Sequence, residues 1–228
     1  MAVALVVQHV PIEDPGRFSQ WLPARGVDLR TIHPYAGDVV PSRLDADALI
    51  VMGGGMGAYD DEAAPWLPAV RDLLAAAARD AVPTLGVCLG AQLLAVATGG
   101  RVGRGVNGPE IGLGEVAVNA PDRLLDAGSL PVVQWHYDTV TELPPGATLL
   151  ASSEAYPVQA FRVGPSAWGL QFHIEATPEL VGKWAELEHR DVAQIVNPLA
   201  AADSIVAAAG EAIAARFASL VTGVTDPK

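Results

Sequence analysis

Cysteine is nearly absent from this chain, and basic residues are few. A single cysteine occurs in 228 residues, so no internal disulfide can form. This fits a reducing compartment, and we expect a cytoplasmic protein. Lysine and arginine total 14 against 26 aspartate and glutamate residues, which gives a formal charge of −12. Because lysine and arginine form no cluster anywhere in the sequence, we expect no binding to nucleic acid or to an anionic membrane surface.

Two apolar stretches resemble membrane signals but lack their other features. Residues 1–7 carry no basic residue ahead of the apolar run, as a secretory signal would. Residues 82–100 are uncharged, but they contain Pro83, Gly86 and Gly90 and change from a strand-like to a helix-like pattern. A buried strand followed by a buried helix explains this pattern better than a membrane span. We therefore expect a soluble protein that does not bind a membrane.

The first 100 residues have the pattern of an α/β domain. Half of the chain is hydrophobic, and its length suits one well-buried domain. Short apolar runs typical of strands covered on both faces alternate with helical patterns. Such alternation predicts a parallel sheet with right-handed crossovers. The predicted elements are strands at 3–10, 48–52 and 85–87, and helices at 18–29, 66–80 and 89–98.

The pattern changes after residue 100. Helical periodicity disappears up to residue 173, and short β-prone segments alternate with glycine and proline, which predicts largely antiparallel strands. Thr177 and Pro178 then predict a helix start, and Asp203 is the expected cap of a last, alanine-rich helix. The predicted strands lie at 114–118, 132–135, 147–151, 158–163 and 168–173.

Cys88 occupies a segment typical of a nucleophile elbow. A strand-like run breaks at Gly86 and helix-forming residues follow Gly90, which places the cysteine on a sharp turn. The small neighbours leave room for an exposed side chain there, and the dipole of the following helix favours the thiolate. A lone cysteine is more often a buried structural residue, but the flanking glycines favour a nucleophile.

A thiol nucleophile needs a base, and His173 is the best placed of the five histidines. Glu175 follows two residues later in an extended run, so both side chains would project to one side. The glutamate would then hold one ring nitrogen while the other faces sulfur. His136 and Asp138 repeat this spacing, either as a second element of the site or as polar positions on a half-exposed strand.

Metal and phosphate binding are the alternatives for these motifs. Zinc accepts cysteine and histidine ligands, but Cys88, His136 and His173 lack close local spacing, and we expect no metal and no cofactor. The glycine-rich segment 53–57 lacks the lysine and hydroxyl residue of a P-loop. Since it follows a strand, it is either a plain turn or a source of backbone N–H groups for an oxyanion.

Together, these motifs resemble those of the class I glutamine amidotransferases. Residues 86–92 resemble the nucleophile motif of that family, and residues 171–175 resemble its His-x-Glu motif. Gly53 and Gly54 correspond to its oxyanion strand. The resemblance spans roughly residues 1–190, and the three motifs occur in the order of the family.

The resemblance implies a flavodoxin-like α/β fold, with a mostly parallel open sheet, flanking helices and an antiparallel β extension. Residues 1–190 would form the family domain and residues 191–228 a helical extension of it. It also implies that Cys88 is the nucleophile, with His173 as base and Glu175 as its partner. The implied oxyanion and substrate-binding residues are Gly53, Gly54, Leu89, Gln92, His136, Tyr137 and Asp138.

Within the family, the chain looks most like the free-standing proteins similar to the glutaminase domain of GMP synthetase. Residues 66–67, 110–112 and 135–138 carry this likeness. Two positions depart from the family pattern. Gly55 stands where many members have proline, and Tyr137 stands where true GMP synthetases have glycine.

The sequence therefore predicts thiol-dependent hydrolysis of a γ-glutamyl amide, either glutamine or a related compound. A γ-glutamyl peptidase acting on peptides or conjugates is one alternative. A non-catalytic regulatory subunit of a separate synthetase is another. Since 228 residues leave no room for an ATP-dependent synthetase domain, any ammonia would pass to a separate partner.

Overall fold

The computed structural model describes residues 1–224, which form a nine-stranded sheet, a separate two-stranded sheet and flanking helices. The strands are β1 (Ala2–Val7), β2 (Val27–Ile32), β3 (Ala48–Val51), β4 (Thr84–Val87), β5 (Arg101–Arg104), β6 (Glu110–Val118), β7 (Gly128–His136), β8 (Asp138–Glu142), β9 (Thr148–Ser152), β10 (Ala160–Val163) and β11 (Ala167–Leu170). The α-helices are α1 (Phe18–Trp21), α2 (Leu67–Arg79), α3 (Leu89–Ala97), α4 (Pro178–Leu187) and α5 (Val192–Thr222).

The large sheet has a parallel half and an antiparallel half. Its order is β2-β1-β3-β4-β11-β10-β9-β6-β7. The first five strands are parallel and follow the flavodoxin-like order. From β11 outward every pairing is antiparallel. The predicted flavodoxin-like sheet with an antiparallel extension is therefore confirmed.

Alternating side chains on the parallel strands separate the core into two layers. In β1, Leu5 and Val7 pack with the apolar side of α2 and with α3, whereas Val6 packs with Phe18 of α1 and Phe217 of α5. The strands are apolar on both faces because helices cover both. This arrangement leaves the carboxyl edge of the sheet, where the strands end, as the accessible edge for ligands.

Residues 27–32 form a strand, although the sequence pattern predicted a helix through residue 29. Gly26 adopts a left-handed conformation that ends a 3-10 turn, and β2 then pairs in parallel with β1. The alternation of Val27, Leu29 and Thr31 with charged residues is the strand signal in this segment. The two short strands β5 and β8, which pair with each other, were also not predicted.

The last helix begins at Val192, not after Asp203 as predicted. Asp191 is its N-cap, and its side chain accepts a hydrogen bond from the Gln194 N–H at 3.1 Å. Pro198 lies inside the helix, where proline usually interrupts one, and this explains the wrong boundary. Asp203 instead lies within α5 and forms an ion pair with Arg17.

By length and composition alone, α5 is apolar enough to cross a membrane. Here it packs on α4 and on β6 and β7 of the sheet, and Val206, Ile213 and Phe217 are buried. The predicted helical extension therefore lies against the sheet over residues 192–222. Residues 225–228 of that prediction lie outside the described part of the chain, and the division at residue 190 stays a prediction.

Candidate active site

Cys88 lies on the predicted turn between β4 and α3. Its backbone has φ 50° and ψ −107°, a strained conformation for a residue other than glycine. A side chain at Gly90 would collide with the carbonyl oxygen of Val51, and one at Gly86 would lie 2.5 Å from the Gly90 carbonyl. The turn therefore requires both glycines, and it holds the thiol at the carboxyl edge of the sheet.

His173 and Glu175 follow β11, which neighbours β4 in the sheet. The Nδ1 atom of His173 lies 2.7 Å from Oε1 of Glu175, and both side chains are buried. An isolated antiparallel β-bridge pairs His173 with Val133 of β7. The centroid of the Trp184 ring lies 4.8 Å from that of the imidazole. Because Glu175 occupies Nδ1, Nε2 is the nitrogen available to Cys88.

The electrostatics of this pair favour a charged imidazole. Burial alone would lower the pKa of His173, but the negative charges of Glu175 and then of Cys88 raise it well above its ordinary value. The hydrogen bond between His173 and Glu175 raises the pKa of His173 as well. The arrangement therefore favours a positively charged imidazole beside the Cys88 side chain.

These groups open into a cavity of about 560 Å³ at the carboxyl edge. Cys88 and His173 line it together with glycines that follow β3 and residues at the β7–β8 junction. Within residues 1–224, no group of three or more histidine, cysteine or acidic side chains is placed to hold a metal ion. The predicted site residues that line the cavity are Gly54, Cys88, Gln92, His136, Tyr137, Asp138 and His173.

The glycine loop after β3 lies directly against the start of α3. A side chain at Gly54 would lie 2.8 Å from the Leu89 side chain and 3.1 Å from Cβ of His9. His9 is buried and accepts a hydrogen bond from the Trp66 indole at 3.0 Å, and burial lowers its pKa to about 4. Leu89 is the first residue of α3, so its N–H has no acceptor within the helix.

Gln92 and His136 are buried in the cavity wall, and protein groups engage their polar atoms. The Gln92 amide donates to the Asp138 carbonyl oxygen at 3.0 Å. The His136 ring lies between that same oxygen and the Glu110 carboxylate, at 3.0 Å from each. These contacts shape the wall, and the substrate-binding roles of the two residues stay predictions.

Tyr137 lies at the mouth of the cavity in a charged cluster. Its hydroxyl donates to Glu188 and accepts from Arg190, and the Arg104 guanidinium lies 4.6 Å from the centre of its ring. The indole of Trp135 donates to Glu188 at 2.9 Å. Sequence reasoning did not find Arg104, Glu188 or Arg190, because Arg104 lies on β5 and the other two follow α4, all far from Tyr137 along the chain.

Glu13 is a further acidic side chain of the cavity that the sequence analysis missed. It follows β1, and its carboxylate lies against Gly53 and near the His173 ring. Burial raises the pKa of Glu13 to about 7, although the charge on His173 opposes this. The available signal was its position in the loop after β1, at the edge where parallel strands place their ligands.

Replacing Glu13 with glutamine should make folding less sensitive to pH. Because the pKa of Glu13 rises from 4.5 to about 7 on folding, its contribution to stability is present below pH 4.5 and is lost as the pH rises through 7. The free energy of unfolding of Glu13→Gln, relative to that of wild type, should therefore increase by about 3 kcal/mol between pH 4.5 and pH 8. Urea unfolding at both pH values measures this. Glu154→Gln, at an exposed position, is the control, and equal effects of both variants would contradict the expectation.

The family described as glutamine amidotransferase class-I matches residues 18–185 of the chain. A glutamine amidotransferase-like protein of Salmonella typhimurium, YfeJ, is 33% identical over 192 residues, which are 79% of this chain and 78% of the relative. Gamma-glutamyl peptidase 3 of Arabidopsis thaliana is 29% identical over 143 residues and 59% of this chain. A glutamine-hydrolyzing GMP synthase of Thermosynechococcus vestitus is 33% identical over 144 residues and 62% of this chain.

The match spans 57% of the length of the Arabidopsis peptidase and 25% of the GMP synthase. Among solved structures, a glutamine amido transferase from Methylobacillus flagellatus superimposes with a TM-score of 0.88 and 26% identity. That match covers 100% of this chain and 97% of the other. The similarity therefore extends over the whole fold, including α5, which lies beyond residue 185.

Proposed function

The chain belongs to the class I glutamine amidotransferase family, and we propose that it hydrolyses the γ-glutamyl amide of glutamine or a related compound. The observation that carries this proposal is the cavity at the carboxyl edge that Cys88 and His173 line together, with Glu175 hydrogen-bonded to His173. Gly54 packs against Leu89, the residue that follows Cys88, and we assign the backbone N–H groups of both to the oxyanion.

In the first half-reaction, the Cys88 thiolate attacks the side-chain carbonyl carbon and a C–S bond forms. The carbonyl electrons move to oxygen, where the N–H groups of Gly54 and Leu89 stabilise the negative charge. The His173 imidazolium then donates its proton to the departing nitrogen as the C–N bond breaks. Ammonia or an amine leaves, and a γ-glutamyl thioester remains on sulfur.

In the second half-reaction, neutral His173 takes a proton from water as the oxygen attacks the thioester carbonyl. The same oxyanion groups stabilise the second tetrahedral intermediate. Its collapse breaks the C–S bond and returns the electrons to sulfur, which restores the thiolate and the imidazolium. Glu175 stays bonded to Nδ1 throughout and holds the ring in the orientation that both steps require.

The second candidate function is that of a γ-glutamyl peptidase, whose substrate has a leaving group larger than ammonia. The residues at the mouth of the cavity favour it. Tyr137 and Arg104 present an aromatic ring and a guanidinium at this mouth, and both groups can contact an amino acid or peptide beyond the scissile bond. The similarity to the Arabidopsis peptidase supports this candidate. Transfer of ammonia to a separate synthetase has its support in the GMP synthase relatives.

The purified protein should hydrolyse at least one γ-glutamyl compound without a metal ion or nucleotide. We expect this because the contacts among Cys88, His173 and Glu175 form within this one chain. The measurement is the release of ammonia or amine from glutamine, γ-glutamyl dipeptides and γ-glutamyl amines, with and without EDTA and ATP. Cys88→Ala is the matched blank.

Three outcomes separate the candidates. Faster hydrolysis of dipeptides than of glutamine would support the peptidase. Inactivity that ends when a co-purifying synthetase is added would support an amidotransferase subunit. Inactivity under all conditions, with Cys88 still open to alkylation, would contradict hydrolysis and leave a non-catalytic binding protein.

A further inference from the structure

Gln171 lies next to the sulfur of Cys88, and the register of the sheet places it there. Strands β4 and β11 pair in parallel up to Val87 and Leu170. The residues that follow them are Cys88 after β4 and Gln171 after β11. Positions 171, 173 and 175 are two residues apart, and such positions share a side in an extended chain. Gln171 is buried, and its side-chain nitrogen lies 3.8 Å from Sγ of Cys88.

Neighbouring hydrogen bonds fix the orientation of the Gln171 amide. Its oxygen accepts a hydrogen bond from the Gln92 amide nitrogen at 3.2 Å. That nitrogen also donates to the Asp138 carbonyl oxygen at 3.0 Å. If the Gln92 amide were flipped, its oxygen would therefore lie against an acceptor oxygen and the hydrogen bond would be lost. Since the oxygen of Gln171 is occupied, its N–H₂ group is the end that faces Cys88.

In addition to the nearby His173, two polar groups contact the sulfur, and they favour opposite protonation states. The Trp135 carbonyl oxygen, 3.6 Å from Sγ, can only accept the proton of a neutral thiol. The Gln171 amide can donate to sulfur, and a donor to an ionised group favours the ionised form. Unlike His173, the amide donates at every pH, because it does not titrate.

We propose that Gln171 is a further catalytic residue, whose amide N–H stabilises the Cys88 thiolate before attack and again when the thioester collapses. This inference rests on the proposed function only in taking Cys88 as the nucleophile. Gln92 acts through Gln171 as a positioning residue. The hydrogen bonds run in one direction, from Gln92 to Gln171 and from Gln171 to sulfur.

Other titratable or charged groups line the same cavity or contact a residue that does. They come from the loops after β1, β3 and β11, from β5, from the β7–β8 junction and from the residue that follows α4. A neutral substitution at Gln171 leaves all of them in place, so a change in the titration of the thiol would come from the amide. These groups are Glu13, Asp60, Arg104, His136, Tyr137, Asp138, His173, Glu175 and Glu188.

The test is the pH dependence of Cys88 alkylation by iodoacetamide in Gln171→Met and wild type. Because Cys88 is the only cysteine, the alkylation rate reports this thiol alone and requires no substrate. Gln171→Met should raise the apparent pKa of Cys88 by about one unit and slow alkylation about tenfold at pH values below that pKa. Gln134→Met is the matched control, since Gln134 is equally buried on β7 and bonds to Gln159.

Gln171→Glu keeps the size of the side chain and the acceptor for Gln92 but replaces the donor with an acid, and should raise the apparent pKa of Cys88 further. Thermal unfolding of each variant shows whether it folds, and Gln171→Leu, which also removes the donor without adding a charge, decides the question if Gln171→Met does not fold. A wild-type alkylation profile in a folded Gln171 variant would overturn the proposal, as would an equal change in Gln134→Met. A shifted profile in a protein that hydrolyses no γ-glutamyl compound would contradict the proposed function but support the role of Gln171.

Discussion

Cys88→Ala should lower kcat/KM for γ-glutamyl hydrolysis by at least about 10⁴-fold, because no other thiol can form the thioester. The same chemistry predicts that iodoacetamide, or a glutamine-derived electrophile such as 6-diazo-5-oxo-norleucine, modifies one site and abolishes activity. Mass spectrometry of the labelled protein and steady-state assays on the substrate hydrolysed fastest measure both effects.

The fold of Cys88→Ala should remain intact, since alanine keeps the backbone that the elbow requires and removes only the sulfur. Thermal unfolding and circular dichroism provide this control. Cys88→Ser offers a stricter comparison, because it keeps a polar atom at the same position with a hydroxyl that is far harder to ionise. Full activity in Cys88→Ala would end the thioester mechanism.

His173→Ala should lower kcat by about 10³- to 10⁴-fold with little change in KM, since the ring transfers the proton in both half-reactions. Glu175→Gln should be milder, about 10²-fold, because a glutamine oxygen can still accept the Nδ1 hydrogen bond. The negative charge of Glu175 raises the pKa of His173. Its removal should therefore shift the pH profile of kcat/KM so that the imidazolium loses its proton at lower pH.

Rate measurements between pH 5 and pH 9 test both parts of this expectation. Glu154→Gln again serves as the control for an exposed acid. If His173→Ala and Glu175→Gln changed only KM, both residues would be binding groups. If Glu175→Gln reduced kcat while its pH profile matched that of wild type, the contribution of Glu175 would be orientation alone.

The parts of the site that local pattern encodes could be predicted from the sequence. The turn at Cys88 follows from the glycines on either side, and the contact between His173 and Glu175 follows from their spacing in an extended chain. Similarly, the predicted start of α4 at Pro178 is confirmed, and the Thr177 side chain caps it by accepting a hydrogen bond from the Leu180 N–H.

The residues that the sequence analysis missed depend on strand order, which no local pattern carries. Glu13 reaches the site from β1, and Arg104 reaches it from the two-stranded sheet. Gln171 belongs to a motif noted in the sequence, but its role requires knowing that β11 lies beside β4. The strand β2 was missed because its edge position leaves it partly exposed and therefore weakly apolar.

The last helix also bears on where the functional unit of this chain ends. Arg17 donates its backbone N–H to the Glu175 carbonyl oxygen, and its guanidinium contacts the Ala176 carbonyl oxygen and Asp203 of α5. Gly210 of α5 lies so close to the Ile174 carbonyl that a Cβ atom there would be 2.6 Å from the oxygen. The segment that carries the acid partner of His173 is thus clamped between α1 and α5.

The match to the family ends at residue 185, before α5 begins. A truncation designed on that boundary would remove α5 and expose the apolar side chains that it covers. A recombinant protein or fusion should therefore include α5 through Thr222, because this helix packs against the segment that carries Glu175. Family boundaries drawn from shared motifs mark where sequences agree, whereas the contacts of α5 show how much of this chain supports the Glu175 segment.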